Sequence, residues 1–245
     1  QKGIRSNLGG DINTGLNIAL ANLGQSIKKP EILLKAAESL LKAHPRSMEA
    51  FGLKILALQH LKRFVDAERE LSRRMERQPG EPVTASLYAE IPRWKGDFSE
   101  HRGRLASLIQ SGRATAMEYN NLAWLDVMEG STSADTLQNA QHAVTLTNHS
   151  DEASLHTLAT VYAELGHVTQ ARDVLMALLK NRPSRELESP DWYIIGRIGE
   201  LYGVPDAAIE AYEKVEPPAE GEGTDSSTYA IASRRLRALG KDPGK

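Results

Sequence analysis

The sequence predicts an all-α protein, a solenoid of stacked helical hairpins closed by a C-terminal capping helix. Three observations carry that prediction. Apolar residues recur at helical spacing through most of the chain, landmarks repeat with a period of about 34 residues, and prolines stand where second helices must end because their ring cannot continue the hydrogen-bond ladder. The landmarks are independent: Phe64-Val65-Asp66-Ala67 returns in altered form as Phe98-Ser99-Glu100-His101, and His44-Pro45 returns as Gln78-Pro79 at the same offset.

Taken in order, residues 1–13 read as an N-terminal tail, and residues 14–222 as an array of about six hairpins starting near Thr14, Met48, Pro82, Ala116, Glu152 and Ser189. The first hairpin has an apolar helix through Ile12, Leu16, Ala19, Leu20 and Leu23, then a second from Pro30 to Ala43, with Pro30 suited to a first helical position. The second carries Phe51, Phe64, Ala67, Leu71 and Pro79. The third carries Gly96-Asp97-Phe98, Leu105 and Leu108, but Pro92 falls late in its first helix and His101 replaces a small residue, so a kink and distorted packing are expected.

The fourth hairpin reads Tyr119, Leu122 and Ala123, then Gly130-Ser131-Thr132-Ser133 before Ala140 and Val144, which predicts an inserted loop. The fifth is the clearest, with Leu155, Leu158, Ala159, Tyr162, Gly166, Ala171, Leu175, Leu178 and Pro183. Small Ala159 and Ala171 let two helices approach closely where they cross, while the large residues form one apolar stripe on each helix. Gly166 suits the turn. In the sixth, Trp192, Ile195, Gly196, Gly203, Ala208 and Tyr212 are well placed, Ser189 can cap and Pro190 can start the first helix, and Gly199 stands where a tyrosine is usual. A Pro, Glu and Gly stretch, including Glu220 and Glu222, reads as a linker before the last helix, Ser226–Leu239, within residues 225–240.

The pattern of the fifth hairpin resembles the tetratricopeptide repeat (TPR), and the resemblance runs from about Asp11 to Leu239. It implies a right-handed superhelix whose concave face, lined by the first helix of each pair, binds peptides or protein segments. A second resemblance, through Tyr119-Asn120-Asn121-Leu122-Ala123-Trp124-Leu125 and HTLATVYAELG, is to C-terminal TPR regions of bacterial transglutaminase-like proteins. It would make this segment the accessory module of an upstream enzyme domain, since such an enzyme needs a cysteine that this chain lacks.

Composition narrows the function. Of 245 residues, 40% are apolar and 25% charged, far from the signature of disorder. Lys and Arg total 30 against 32 Asp and Glu, a net charge of -2, so no global field attracts nucleic acid. The chain has no cysteine, which removes thiol chemistry and thiolate ligands. No apolar run approaches the roughly 20 residues of a membrane span. The opening at Gln1 suggests processing or a segment cut from a longer protein, which leaves the compartment open between cytoplasmic and exported.

Carrying the TPR groove positions onto the first helices gives Asn22, Leu56, Glu90, Asn120, Trp124, His156, Thr160, Tyr193, Arg197 and Glu200 as inward-facing candidates. Asn120, Trp124, His156, Tyr193 and Arg197 are the predicted ligand-binding set, because amide, aromatic and guanidinium groups offer rigid contacts and carboxylate-binding donors. Trp124 and Tyr193 are equally readable as fillers between hairpins. A two-carboxylate clamp is disfavoured, as Ile18, Gly52 and Leu53 stand where basic or amide residues would be needed.

The histidines have no metal-binding i, i+4 spacing, and His149-Ser150-Asp151 cannot form a catalytic relay because consecutive side chains diverge. Ser150 reads as an N-cap there. The run Arg234-Arg235-Leu236-Arg237 reads as a solvated face. No convergent nucleophile, base and oxyanion donors can be assembled, and no cofactor is expected. The sequence therefore points to a non-enzymatic module that binds a protein or peptide. The competing reading is a structural spacer or dimerisation domain, its groove covered by Tyr229, Ala232, Leu236 and Leu239 or by a second copy in a homodimer.

Overall fold

The computed structural model describes residues 18–19, 29–182, 186–218 and 227–242. Twelve helices and no strand follow one another among them: α1 (Pro30–Ala43), α2 (Met48–His60), α3 (Phe64–Arg77), α4 (Pro82–Lys95), α5 (Phe98–Gln110), α6 (Ala116–Glu129), α7 (Ala134–Leu146), α8 (Glu152–Glu164), α9 (Val168–Asn181), α10 (Ser189–Leu201), α11 (Pro205–Glu213) and α12 (Thr228–Ala238). Ile18 and Ala19 are helical, but Asn22 and most of the expected first helix lie outside the described residues, as do Pro183, Glu220 and Glu222.

Local chemistry sets the boundaries. Pro30 opens α1, where its missing N–H costs nothing. Ser47 Oγ accepts from Ala50 N at 3.1 Å, Asp151 Oδ2 from Ser154 N at 2.8 Å, and Ser227 Oγ from Ala230 N at 3.2 Å, each cap worth about 1 kcal/mol. Thr115 and Glu118 form a capping box at α6, the Thr115 amide donating to Glu118 Oε2 at 2.6 Å. Gly130 and Gly166 end α6 and the turn after α8 at φ 72° and 76°, a left-handed conformation that a Cβ disfavours.

The chain divides into two compact units, residues 1–101 and 102–245. In the first, α1 packs on α2 and α3 on α4. Its core joins Leu33, Leu34, Phe51, Ile55, Leu58, Leu71 and Ile91. Arg74 lies over the Phe51 ring at 4.5 Å and reaches Glu81 through Nε and Nη2 at 2.6 and 2.9 Å. Hydrogen bonds from Arg74 hold the Glu81 carboxyl below its ordinary range. The pair thus staples the end of α3 to the cap of α4.

In the second unit α6 packs on α7, α8 on α9 and α10 on α11, and the first helices also touch in series, α6 on α8 and α8 on α10. Ala159 and Ala171 are fully buried at the α8–α9 crossing. The main core gathers Ala123, Val127, Met128, Val144, Leu158, Val161, Tyr193, Tyr212, Ile231 and Leu236.

Helix α4 continues through Pro92, and His101 is fully buried, donating Nδ1–H to the Ala89 carbonyl at 2.8 Å while its Nε2 has no hydrogen-bond partner. Other expectations need correction. The fourth hairpin has no large insertion: residues 130–133 form a turn one residue longer than 165–167, taken up by a capping box between Ser133 and Thr136. The cap of α8 is Asp151, not Ser150, whose hydroxyl donates back to the Thr147 carbonyl at 2.6 Å. Ser189 lies inside α10, accepting from Glu216 N at 2.9 Å, and the capping position belongs to Glu188, whose amide donates to Asp191 Oδ2 at 2.7 Å.

Candidate functional site

The first helices α6, α8 and α10 carry all five predicted ligand-binding residues, and the second unit presents them as three neighbouring sets. At the N-terminal ends of α6 and α8 lies a groove of about 660 Å³, walled by Thr115, Met117, Asn120 and Asn121 on one side and by Leu146, Asp151, Ala153 and Ser154 on the other. Met117 and Leu146 are 41% and 48% exposed. Asn120 Nδ2 donates to Asn121 Oδ1 at 3.3 Å, and Asn120 Oδ1 is buried without a hydrogen-bond partner. A groove walled by exposed apolar side chains beside polar ones is suited to a polypeptide, which offers both kinds of group.

Trp124, one turn beyond Asn120, is half-buried and packs against the main core. His156 on α8 faces the start of α10, its Nε2 2.7 Å from Asp191 Oδ1. Arg182, at the end of α9, completes the cluster: Nη1 donates to Asp191 Oδ2 and to the Glu186 carbonyl at 2.6 and 2.8 Å, and Nε donates to Glu152 Oε1 at 2.8 Å. Asp191 is fully buried, which raises its pKa, but hydrogen bonds from His156, Arg182 and the Glu188 amide outweigh burial and hold it at about 2.

Tyr193 and Arg197 converge on Glu164, at the end of α8. The Tyr193 hydroxyl donates to Glu164 Oε1 at 2.6 Å and Arg197 Nε to the same oxygen at 2.8 Å. Arg197 also reaches Glu200 Oε2 at 3.1 Å, and the Tyr212 hydroxyl donates to Glu200 Oε1. Burial and then the Glu164 charge push the Tyr193 phenol up, which keeps it a proton donor. Gly196 makes room for this arrangement, since a Cβ there would lie 2.6 Å from Tyr212 Cδ1.

The last helix joins the same network. Ile231, Ala232 and Leu236 enter the main core, Arg235 Nη2 donates to Glu164 Oε2 at 2.6 Å, and Arg234 Nη2 donates to the Met128 carbonyl at 2.6 Å. Helix α12 therefore lies against the C-terminal ends of α6, α8 and α10 as well as packing on α11. The basic run is a solvated face only at Arg234 and Arg237, which are exposed, while Arg235 and Leu236 turn inward; burial pulls Arg235 down, but the Glu164 carboxylate outweighs it and keeps the guanidinium charged.

The structure thus brings Tyr193 and Arg197 together on Glu164, sets His156 in a separate cluster with Arg182 and Asp191, and leaves Asn120 at the open groove. Glu164, Arg182, Asp191 and Arg235 were not among the predicted site residues. The available signal was Asp191, an acid in a first turn that stands about one repeat after His156. Among the described residues, no group of three or more His, Cys, Asp and Glu side chains could hold a metal ion. Nor is any described helix long and apolar enough to cross a membrane.

The backbone as a whole matches solved TPR structures. The pilF protein of Pseudomonas aeruginosa superimposes with a TM-score of 0.61 at 12% identity, over 92% of this chain and 97% of that one. The chain has a tetratricopeptide-repeat fold. PilW, a widely conserved type IV pilus biogenesis factor, matches with a TM-score of 0.59 at 15% identity over 83% of this chain and 92% of its own. YrrB, a TPR protein with an unusual peptide-binding site, matches at 0.53 and 14% identity over 83% of this chain and 100% of its own. No family model and no curated protein matches the sequence. With these helices in TPR order, α6, α8 and α10 are the first helices of three successive repeats, the ones on which Asn120, His156 and Tyr193 sit.

Proposed function

We propose that this chain is a protein-interaction module whose second unit receives a segment of another protein on the face formed by α6, α8 and α10. The observation that carries the reading is the groove of about 660 Å³ beside Asn120, walled by exposed Met117 and Leu146. Asn120, in the groove wall, and half-buried Trp124, one turn beyond it, are assigned to direct contact. His156, Tyr193 and Arg197, bonded to Asp191 and Glu164, hold the walls against which the bound segment rests. The peptide-binding site described for YrrB, a neighbour in fold, agrees with such a role.

The test is partner capture from source-cell lysate by the wild type and by an Asn120→Ala, Trp124→Ala double variant, after circular dichroism has shown equal helicity. A protein retained by the wild type and lost from the variant supports the reading. Equal retention by both would remove Asn120 and Trp124 from the contact.

One observation favours a second reading, a spacer or dimerisation domain: α12 already covers the C-terminal part of the same face with this chain's own residues. Capture of nothing, together with a mass in solution that rises with concentration, would favour it and point to a homodimer.

A further inference from the structure

We propose that α12 is a built-in stand-in for the partner, and that the face it covers takes a basic amphipathic helix with its pattern of side chains. The inference rests on the protein-binding reading above and specifies the partner's chemistry.

Ile231, Ala232 and Leu236 are buried in the core of the unit, at 2%, 1% and 4% exposure. Arg235, beside Leu236, enters between two carboxylates, donating to Glu164 Oε2 at 2.6 Å with Glu200 Oε2 at 4.0 Å from its other nitrogen. Removing α12 would uncover an apolar floor with two acids at its edge. An apolar stripe broken by one guanidinium is complementary to that surface, and a helix laid by its apolar face into a groove is an established mode of recognition.

A second, independent observation marks α12 as an imperfect occupant. Ser233 is 5% exposed, and its Oγ has no hydrogen-bond partner. A buried hydroxyl left unpaired carries its full desolvation cost. A partner helix with alanine at that position would fit the same face without this cost. The tether also matters. Helix α12 belongs to the same chain as the face it covers, so its docking is intramolecular and a free competitor must overcome that advantage. An 11-residue helix is too short to persist alone. Thus α12 can hold the face against weak competitors, and once displaced it has no helix to keep it intact.

The test uses the full chain and a fluorescent synthetic peptide of residues 227–242. Wild-type chain should bind the peptide weakly, because its own α12 competes. In the Arg235→Glu chain the attached helix faces Glu164 and Glu200 with a like charge, while the peptide still carries arginine, so binding should tighten about tenfold or more. A Ser233→Ala peptide should bind that chain about fivefold more tightly than the natural peptide, and a peptide carrying Arg235→Glu should lose most of its binding.

Equal binding to the two chains, or equal binding of all peptides, would overturn the proposal. So would a rise in mass of the wild type with peptide-blockable exchange of α12 between copies, which would make a second copy the occupant. Should the Arg235→Glu chain fail to fold, hydrogen exchange on the wild type decides the matter. Amides of α12 are expected to exchange well before those of α10 and faster still with peptide, and exchange of both helices only together would refute it. The probe is a piece of this chain, so a failed partner capture would count against the proposed function and leave this readout standing.

Discussion

Arg235 of α12 places its Nη2 2.6 Å from Glu164 Oε2 at the end of α8, while Tyr193 and Arg197 share the other Glu164 oxygen. One carboxylate therefore receives three donors from two helices. Its net worth lies in what its removal would strand: Arg197, 7% exposed, would keep only the Glu200 contact.

Glu164→Ala should cost about 3 kcal/mol of unfolding free energy, within the range for breaking a buried pair from one side. Urea denaturation checks this. A loss below about 1 kcal/mol, typical of exposed pairs, would mean that Arg197 finds water instead.

Asp191 gives the fold an acid-sensitive joint. Its folded pKa of about 2 lies below the ordinary value of 3.8, so its stabilisation is fully present above 3.8 and is lost as pH falls through about 2. The shift corresponds to about 2 kcal/mol. Asp191→Asn should be less stable than the wild type at neutral pH, and the gap should narrow as pH falls through that window. Urea midpoints of both proteins across the window measure it, and a constant gap would assign the effect to packing.

Two glycines should respond to alanine with opposite sign. At Gly196 a Cβ would press on the Tyr212 ring, 2.6 Å from Cδ1 and 2.8 Å from Cζ, so Gly196→Ala should destabilise by about 1–3 kcal/mol. At Gly52, inside α2, nothing lies within 4 Å, and Gly52→Ala should stabilise by about 0.5–1 kcal/mol by restricting the unfolded chain. Thermal melts of the two variants provide the comparison.

Leu236→Lys separates the packing and association roles of α12. Leu236 is 4% exposed, so an ammonium there should weaken the docking of the last helix and lower the melting temperature. Under the protein-binding reading, the mass by light scattering should match that of the wild type. A wild-type dimer that the substitution dissociates would instead support self-association.

The hairpin pattern was legible because each hairpin repeats the same packing problem. Small Ala159 and Ala171 at a crossing, and apolar stripes on both sides, are local demands that sequence spacing records. Side-chain networks left a fainter trace. Tyr193 and Arg197 read from the sequence as ligand contacts, yet the carboxylate they meet, Glu164, lies 29 and 33 residues away, too far for helical spacing to pair them. Arg235 looked like surface because its neighbours Arg234 and Arg237 are exposed, and only the rotation of α12 turns it inward. Capping chemistry was read one residue off at Ser150 and Ser189, since serine and a neighbouring acid can both fill the role and the backbone conformation chooses between them.

The hydrogen bond from Arg234 to the Met128 carbonyl joins positions 106 residues apart. Linear repeat arrays touch only their nearest neighbours, so they fray from an end and melt piecemeal. Here the last helix returns to the first helix of the fourth hairpin, so the row is fastened into a loop for as long as α12 stays docked. Such a fastening forms late, since a contact this distant in sequence must wait for what lies between, and its release ahead of α10 frees the end from which the enclosed helices then fray.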